Sequence, residues 1–219
     1  MKTLKEYIIE GILDIEDNIE NLSVESLIED FIKENYEIKG NLQIKKKGNK
    51  YIVSTNGTVV VKNKNITELT NDLFEWGEVG ANFYCIDCKS LKDLEGAPEK
   101  VGWNFSCGNC TSLKSLKGAP EKVEWNFFCD RCDSLQSLEG APKKVDGHFF
   151  CDDCTSLKDL NGAPEEVGKS FSCHGCISIK SLEGAPKKVG NVFSCSKCGT
   201  KFTEEDVRAI CDVENEIYI

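Results

Sequence analysis

Twelve cysteines fall in six Cys-x-x-Cys pairs: Cys85 and Cys88, Cys107 and Cys110, Cys129 and Cys132, Cys151 and Cys154, Cys173 and Cys176, Cys195 and Cys198. Three chemistries use such pairs. Four thiolates from two neighbouring pairs could hold Zn²⁺ at about 2.3 Å. A lone pair at a helix N-terminus, where the thiol pKa falls, could exchange electrons as a dithiol. Thiols packed in a core act as small apolar groups with a weak S–H donor. The pairs recur every 22 residues, one per unit, whereas zinc sites would group them two by two. The two histidines, His148 and His174, occupy different phases of that unit, so no ligand histidine accompanies the pairs. Six buried copies also do not supply the environment a redox dithiol needs. The expectation is therefore a structural ladder without a cofactor. The alternative is structural zinc on those twelve cysteines, with Cys195-Ser196-Lys197-Cys198-Gly199 the nearest to a zinc knuckle.

The element that positions the cysteines is the unit itself. Its clearest copy starts Phe105-Ser106-Cys107-Gly108-Asn109-Cys110-Thr111-Ser112-Leu113 and ends Leu116-Lys117-Gly118-Ala119-Pro120-Glu121-Lys122-Val123. Phenylalanines stand at 83, 105, 127, 149, 171 and 193, two residues before each first cysteine. That alternation points Phe and the first Cys to one face of a strand. Leu-x-x-Leu covers the other wall, with Ile179 the one substitution among those leucines in the first five copies. Gly-Ala-Pro is a turn signal, since Gly relaxes φ and Pro fixes it. One such coil cannot bury both walls alone, but stacked coils share a continuous core. A fixed period of this length predicts a solenoid.

Phe-x-Cys-x-x-Cys-x-Ser-Leu-x-x-Leu-x-Gly-Ala-Pro-x-x-Val resembles a leucine-rich repeat. It is similar to the "SLEGAP" repeats common in bacteriophage proteins and their relatives, and more distantly to BspA-like repeats. The resemblance covers roughly residues 83–198. It implies an α/β repeat fold, a leucine-rich-repeat-like solenoid of six 22-residue coils, with Phe and Cys in leucine places and the second Cys in the Asn/Cys place. It implies little about function, because such scaffolds carry many binding activities. Residues 1–10, Met-Lys-Thr-Leu-Lys-Glu-Tyr-Ile-Ile-Glu, also resemble the capsid-targeting leader on internal head proteins of T-even-type bacteriophages. That resemblance implies cleavage between Glu10 and Gly11 and packaging in a virion. Leu27-Ile28-Glu29 and Ile32-Lys33-Glu34 fit the same apolar-x-Glu signal.

Four segments are expected: a helical hairpin over 1–38, a β-rich cap over 39–80, the solenoid over 81–200 and a C-terminal cap over 201–219. Leu4, Ile8, Ile12, Ile15, Ile19 and Leu22 form one helical stripe. Ser23 is the expected N-cap of a second helix, whose stripe is Val24, Leu27, Ile28, Phe31 and Ile32. Residues 41–62 hold three short β-rich runs separated by Lys47-Gly48-Asn49 and by Asn56-Gly57, which predicts a small meander whose last strand starts the solenoid. Thr203 reads as the N-cap of a capping helix, with Val207, Ile210 and Cys211 closing the core and Ile217–Ile219 adding a strand.

Charge narrows the partners. The net charge of −10 argues against nucleic acid, which wants a basic stripe. Residues 1–38 alone hold three lysines and eleven acids, the pattern of a solvated helical face. Apolar runs are too short to cross a bilayer. Acids interrupt every apolar run near Met1, so no export signal is read and reduced thiols in the cytoplasm are expected, in a host cytoplasm or virion interior if the chain is phage-encoded. Two histidines, no Gly-x-Ser-x-Gly and no phosphate loop leave no enzyme constellation.

Function is therefore expected on the outward face of the strands. Between each Phe and Cys lie Tyr84, Ser106, Phe128, Phe150, Ser172 and Ser194. Two residues before each Phe lie Ala81, Trp103, Trp125, Gly147, Lys169 and Asn191. Strand phase predicts an exposed aromatic patch of Tyr84, Trp103, Trp125, Phe128 and Phe150 beside Asp130, Asp152 and Asp153. Such a patch would bind a protein partner, unless the N-terminal segment covers it or its rings only stiffen cross-strand pairing.

Overall fold

The computed structural model describes residues 23–70 and 73–219. The first predicted helix and the Glu10–Gly11 cleavage position lie outside the described residues. The second helix is present as α1 (Val24–Asn35), and the Ser23 side chain accepts from Ser26 N at 3.2 Å. Leu27, Ile28 and Ile32 bury one stripe of it, while Val24 is exposed.

Beyond α1 the chain is a β-solenoid of about eight turns, each of roughly 22 residues. Every repeat coil contributes two strands of two residues each, one at Phe-x and one at the residue pair ending in Val. Stacked in parallel, these build two long sheets that face each other across the core. Phe83, Phe105, Phe127, Phe149, Phe171 and Phe193 are register partners in the first sheet. Val79, Val101, Val123, Val145, Val167 and Val189 are register partners in the second.

The class is therefore β, a correction to the α/β expectation. No helix forms within residues 81–200; the wall opposite the Phe strand ends in a second strand rather than a helix. The turns explain why. In Leu94-Glu95-Gly96-Ala97 the Ala97 N–H returns to Leu94 O at 2.9 Å with Gly96 at φ +83°, a type II turn that needs a glycine third. The same bond recurs at Ala119, Ala141, Ala163 and Ala185. Each turn redirects the chain before a helical turn can propagate, and the buried proline that follows removes a donor.

The stack also extends past six coils at both ends. Strand β1 (Tyr36–Lys39) precedes β2 (Leu42–Lys47), β3 (Lys50–Thr55), β4 (Thr58–Val61) and β5 (Phe74–Val79). Val59 of β4 takes the Phe place and pairs with Phe83. Val53 of β3 pairs with Trp76 of β5 in the other sheet. At the far end Asp212–Val213 and Ile217–Tyr218 add one rung to each sheet. The predicted meander is half right: β2 and β3 form a hairpin at Gly48-Asn49, but β3 and β4 belong to different sheets. Asn56-Gly57 is a corner, not a hairpin turn. A Cβ on Gly57 would sit 1.7 Å from Lys39 O, so only glycine lets β1 close over that corner. β1 and β2 are antiparallel additions that cover the N-terminal edges of the two sheets.

The core is a set of columns. The six phenylalanines are fully buried, and successive ring centroids lie 5.8, 5.1, 5.2, 5.7 and 5.1 Å apart. Stacked rings of this kind add about 0.5–1.5 kcal/mol per pair beyond burial. At the N-terminal end the geometry changes to edge-on, with Trp76 against Phe83, Tyr36 and Phe74. Tyr36 donates its hydroxyl to Leu69 O at 3.1 Å, and burial holds that hydroxyl well above the usual tyrosine range. Helix α2 (Glu204–Arg208) carries a capping box between Thr203 and Asp206. Val207 and Cys211 are buried, but Ile210, predicted to join them, is 45% exposed.

Candidate protein-binding face

Side chains on the outside of the first sheet form columns, because residue n and residue n+22 stand one rung apart, about 4.8 Å. Three columns matter: the residue before the first Cys, the residue after it, and the one after that.

In the first column Tyr84, Phe128 and Phe150 are half-buried, and Phe128 and Phe150 touch with ring centroids 5.6 Å apart. Ser106 and Ser172 between and beyond them are buried. The second column brings Asp130 over Asp152. Asp130 Oδ1 accepts from Asp152 N at 3.0 Å, and Asp152 Oδ1 accepts from His174 N at 2.8 Å and from Ser172 Oγ. His174 Nδ1 lies 2.7 Å from Ser196 Oγ. Burial pushes the Asp130 carboxyl up to about 6, aided by the charge of Asp152 and opposed by the backbone donors. Burial also raises Asp152, opposed by the Ser172 hydrogen bond. In the third column Asp87, Asn109, Arg131, Asp153 and Lys197 adopt left-handed φ between 56° and 63°. This conformation turns each Cys-x-x-Cys so that both sulfurs point inward.

Between these columns lies a groove of about 460 Å³, whose walls include Ser106, Asp130, Phe150, Asp152 and His174. Ile86, Asn109 and Arg131 also border it. None of these three was singled out from the sequence, although each stands in a column with a residue that was.

The tryptophans take a different place. Trp103 and Trp125 are 60% and 54% exposed, in the corner that leads from the second sheet into the first. Lys169 Nζ sits 4.6 Å from the Trp125 ring centroid, reaching past Gly147. Among the described residues no ring contact joins either tryptophan to Phe128 or Phe150. Instead Phe150 meets His148 at 5.2 Å. The expected patch is thus two neighbouring areas, a tryptophan corner and a phenylalanine–aspartate groove.

Between them runs a side-chain ladder that sequence reasoning missed. Asn82 Nδ2 donates to Thr58 Oγ1 at 3.1 Å, Asn104 Nδ2 to Asn82 Oδ1 at 2.8 Å and Asn126 Nδ2 to Asn104 Oδ1 at 2.8 Å. His148 N and Ser170 N then take the next acceptors, Asn126 Oδ1 at 2.8 Å and His148 Nδ1 at 3.3 Å. The signal in the sequence was the 22-residue spacing of Asn82, Asn104 and Asn126.

The cysteines form two further ladders, inside. Cys110, Cys132, Cys154, Cys176 and Cys198 each donate to the carbonyl of the first Cys one coil earlier, at 3.1–3.3 Å. Cys85, Cys107, Cys129, Cys151 and Cys173 each reach the carbonyl of the outward residue one coil later, at 3.3–3.7 Å. Burial pushes Cys129 well above the ordinary thiol range, and Cys195 up to about 12. The second-cysteine thiols donate to carbonyls that a buried backbone must satisfy, whereas the carbonyls met by the first cysteines already accept a backbone N–H. Among the described residues no group of three or more His, Cys, Asp or Glu is arranged to hold a metal ion.

The chain matches no protein-family model, no curated protein and no solved structure. Among the described residues no helix is long and apolar enough to cross a membrane. Any functional reading rests on the geometry above.

Proposed function

We propose that the chain is a non-enzymatic interaction scaffold that receives a protein segment carrying lysine or arginine beside an apolar side chain. One observation carries this reading: Phe150 stands in one groove with Asp130 and Asp152, and burial disfavours the charge on both carboxylates. A cation brought to such a site restores the interaction that water would have given, so a basic partner is favoured over a neutral one. Half-buried aromatic rings next to it supply the apolar anchor typical of interface hot spots. Tyr84 and Phe128 continue the apolar column. Trp103 and Trp125 extend the contact area toward the corner.

Peptide display against the full chain tests the reading. Enrichment of peptides pairing Lys or Arg with an apolar residue, with capture lost in folded Phe150→Ala and Asp152→Asn variants, supports it. Enrichment without basic residues, or capture unchanged in both variants, removes it. Trp103→Ala, measured separately, reports whether the corner takes part.

A phage or phage-derived origin, and packaging in a virion, are proposed on the resemblances of the repeat and of residues 1–10. N-terminal sequencing of protein from purified virions tests packaging. A chain starting at Gly11 supports it, and one starting at Met1, or none in the virion, removes it.

A further inference from the structure

Of the thirteen cysteines, twelve are buried and Cys198 alone is half-buried. Its sulfur lies 4.0 Å from that of Cys173, the first cysteine of the preceding coil. The relation is built into the repeat. Each second cysteine hangs over the backbone of the first cysteine one coil earlier, so Cys110 stands to Cys85 as Cys198 stands to Cys173. In the inner coils the next coil seals this diagonal. At the last coil Gly199 and the exposed Lys197 flank the pair, and the chain turns away into α2. Access sets this pair apart.

We propose that Cys173 and Cys198 form a redox-operated staple, a disulfide that ties the last full coil to the body of the solenoid under oxidising conditions. The oxidant is hydrogen peroxide. Peroxide oxygen adds to the accessible Cys198 sulfur, giving a sulfenic acid and one water; the Cys173 sulfur then attacks it, forming the S–S bond and releasing a second water. Two thiols lose two electrons and two hydrogens, and the peroxide takes both. A disulfide needs its sulfurs at about 2.05 Å, so a side-chain rotation at the half-buried Cys198 must close the gap. Thiol reductants reverse the bond by exchange through the same half-buried sulfur. The staple spans the segment that includes Gly184 and the Lys188–Val189 rung, and it leaves the ten repeat cysteines of the other positions as thiols.

The experiment is hydrogen peroxide treatment of the full chain at a few equivalents, alkylation of remaining thiols after denaturation, and non-reducing peptide mass mapping. The expected result is an intact mass lower by about 2 Da, a Cys173–Cys198 crosslink and eleven alkylated cysteines. Dithiothreitol restores the mass. Cys198→Ser abolishes the crosslink, whereas Cys195→Ser, a buried neighbour in the same pair, keeps it. A crosslink between Cys195 and Cys198, one between two buried cysteines, or oxidation of Cys198 without any crosslink overturns the proposal.

Discussion

Asn104 donates its side-chain Nδ2 to Oδ1 of Asn82 at 2.8 Å, and its own backbone N–H reaches the same oxygen at 3.1 Å. One amide oxygen thus serves two donors from the next coil. Asn126 repeats the relation on Asn104 at 2.8 and 3.3 Å. The corner that presents Trp103 and Trp125 is pinned, rung by rung, by the residue that follows each tryptophan.

Asn104→Ala removes the oxygen that Asn126 uses twice. We expect a loss of about 1–3 kcal/mol, the cost of leaving part-buried donors unpaired. Urea unfolding checks it. Asn104→Asp keeps the acceptor but offers no amide to Asn82, and should recover part of the loss.

Asp130 sets a pH dependence of defined sign. Its folded value, about 6, lies above the ordinary 3.8, so the folded chain holds that proton more tightly than the unfolded chain. The stability this confers is complete below about 3.8 and is lost as pH rises through about 6. Asp130→Asn keeps the acceptor for Asp152 N and carries no charge at any pH. The variant should be more stable than the parent by about 1–3 kcal/mol at pH 7.5, with the difference vanishing near pH 3.5. Thermal unfolding of both chains across that range decides it.

Arg131 sits at φ 56°, a left-handed conformation in which its side chain is strained. Arg131→Gly should stabilise the chain by about 1 kcal/mol or a little less, because the unfolded chain also gains freedom. Gly118→Ala is the counter-experiment. Gly118 has φ +82°, and an added Cβ would lie 2.4 Å from Glu95 N. It should cost more than Arg131→Gly gains.

The inner ladders predict indifference to chelation. Ethylenediaminetetraacetate should leave the melting temperature unchanged, and denaturation should release thirteen thiols. Cys132→Ala should cost about 1–3 kcal/mol by deleting the donor to Cys107 O and leaving a small void. A fall in melting temperature on chelation, with zinc recovered from the chain, would revive the zinc alternative.

The columns at a fixed 22-residue period were legible because each keeps one residue type: Phe at six places, Cys at twelve, leucine at nearly all of ten. The second sheet was hidden in plain view. A two-residue strand such as Lys122–Val123 has no internal alternation, so only the valine column could have announced it. The Asn ladder fades into His148 and Ser170, which keep the backbone contact but not the residue type. Asp87, Asn109, Asp153 and Gly175 are residue types that favour left-handed φ, so that column is partly legible, whereas at Arg131 and Lys197 the fold alone imposes the conformation. For the candidate site, the aspartates and phenylalanines were placed on one face by phase alone. The separation of Trp103 and Trp125 from them depends on corners at Gly102–Asn104 and Glu124–Asn126 that strand phase cannot register.

The most direct measurement is the affinity of a display-selected basic peptide for the full chain at pH 5 and pH 7.5. The expected result is binding about tenfold tighter at pH 7.5, as Asp130 ionises, with the gain lost in Asp130→Asn and binding weakened throughout in Phe150→Ala. Affinity independent of pH and untouched by both substitutions would contradict the assignment of the groove as the docking site.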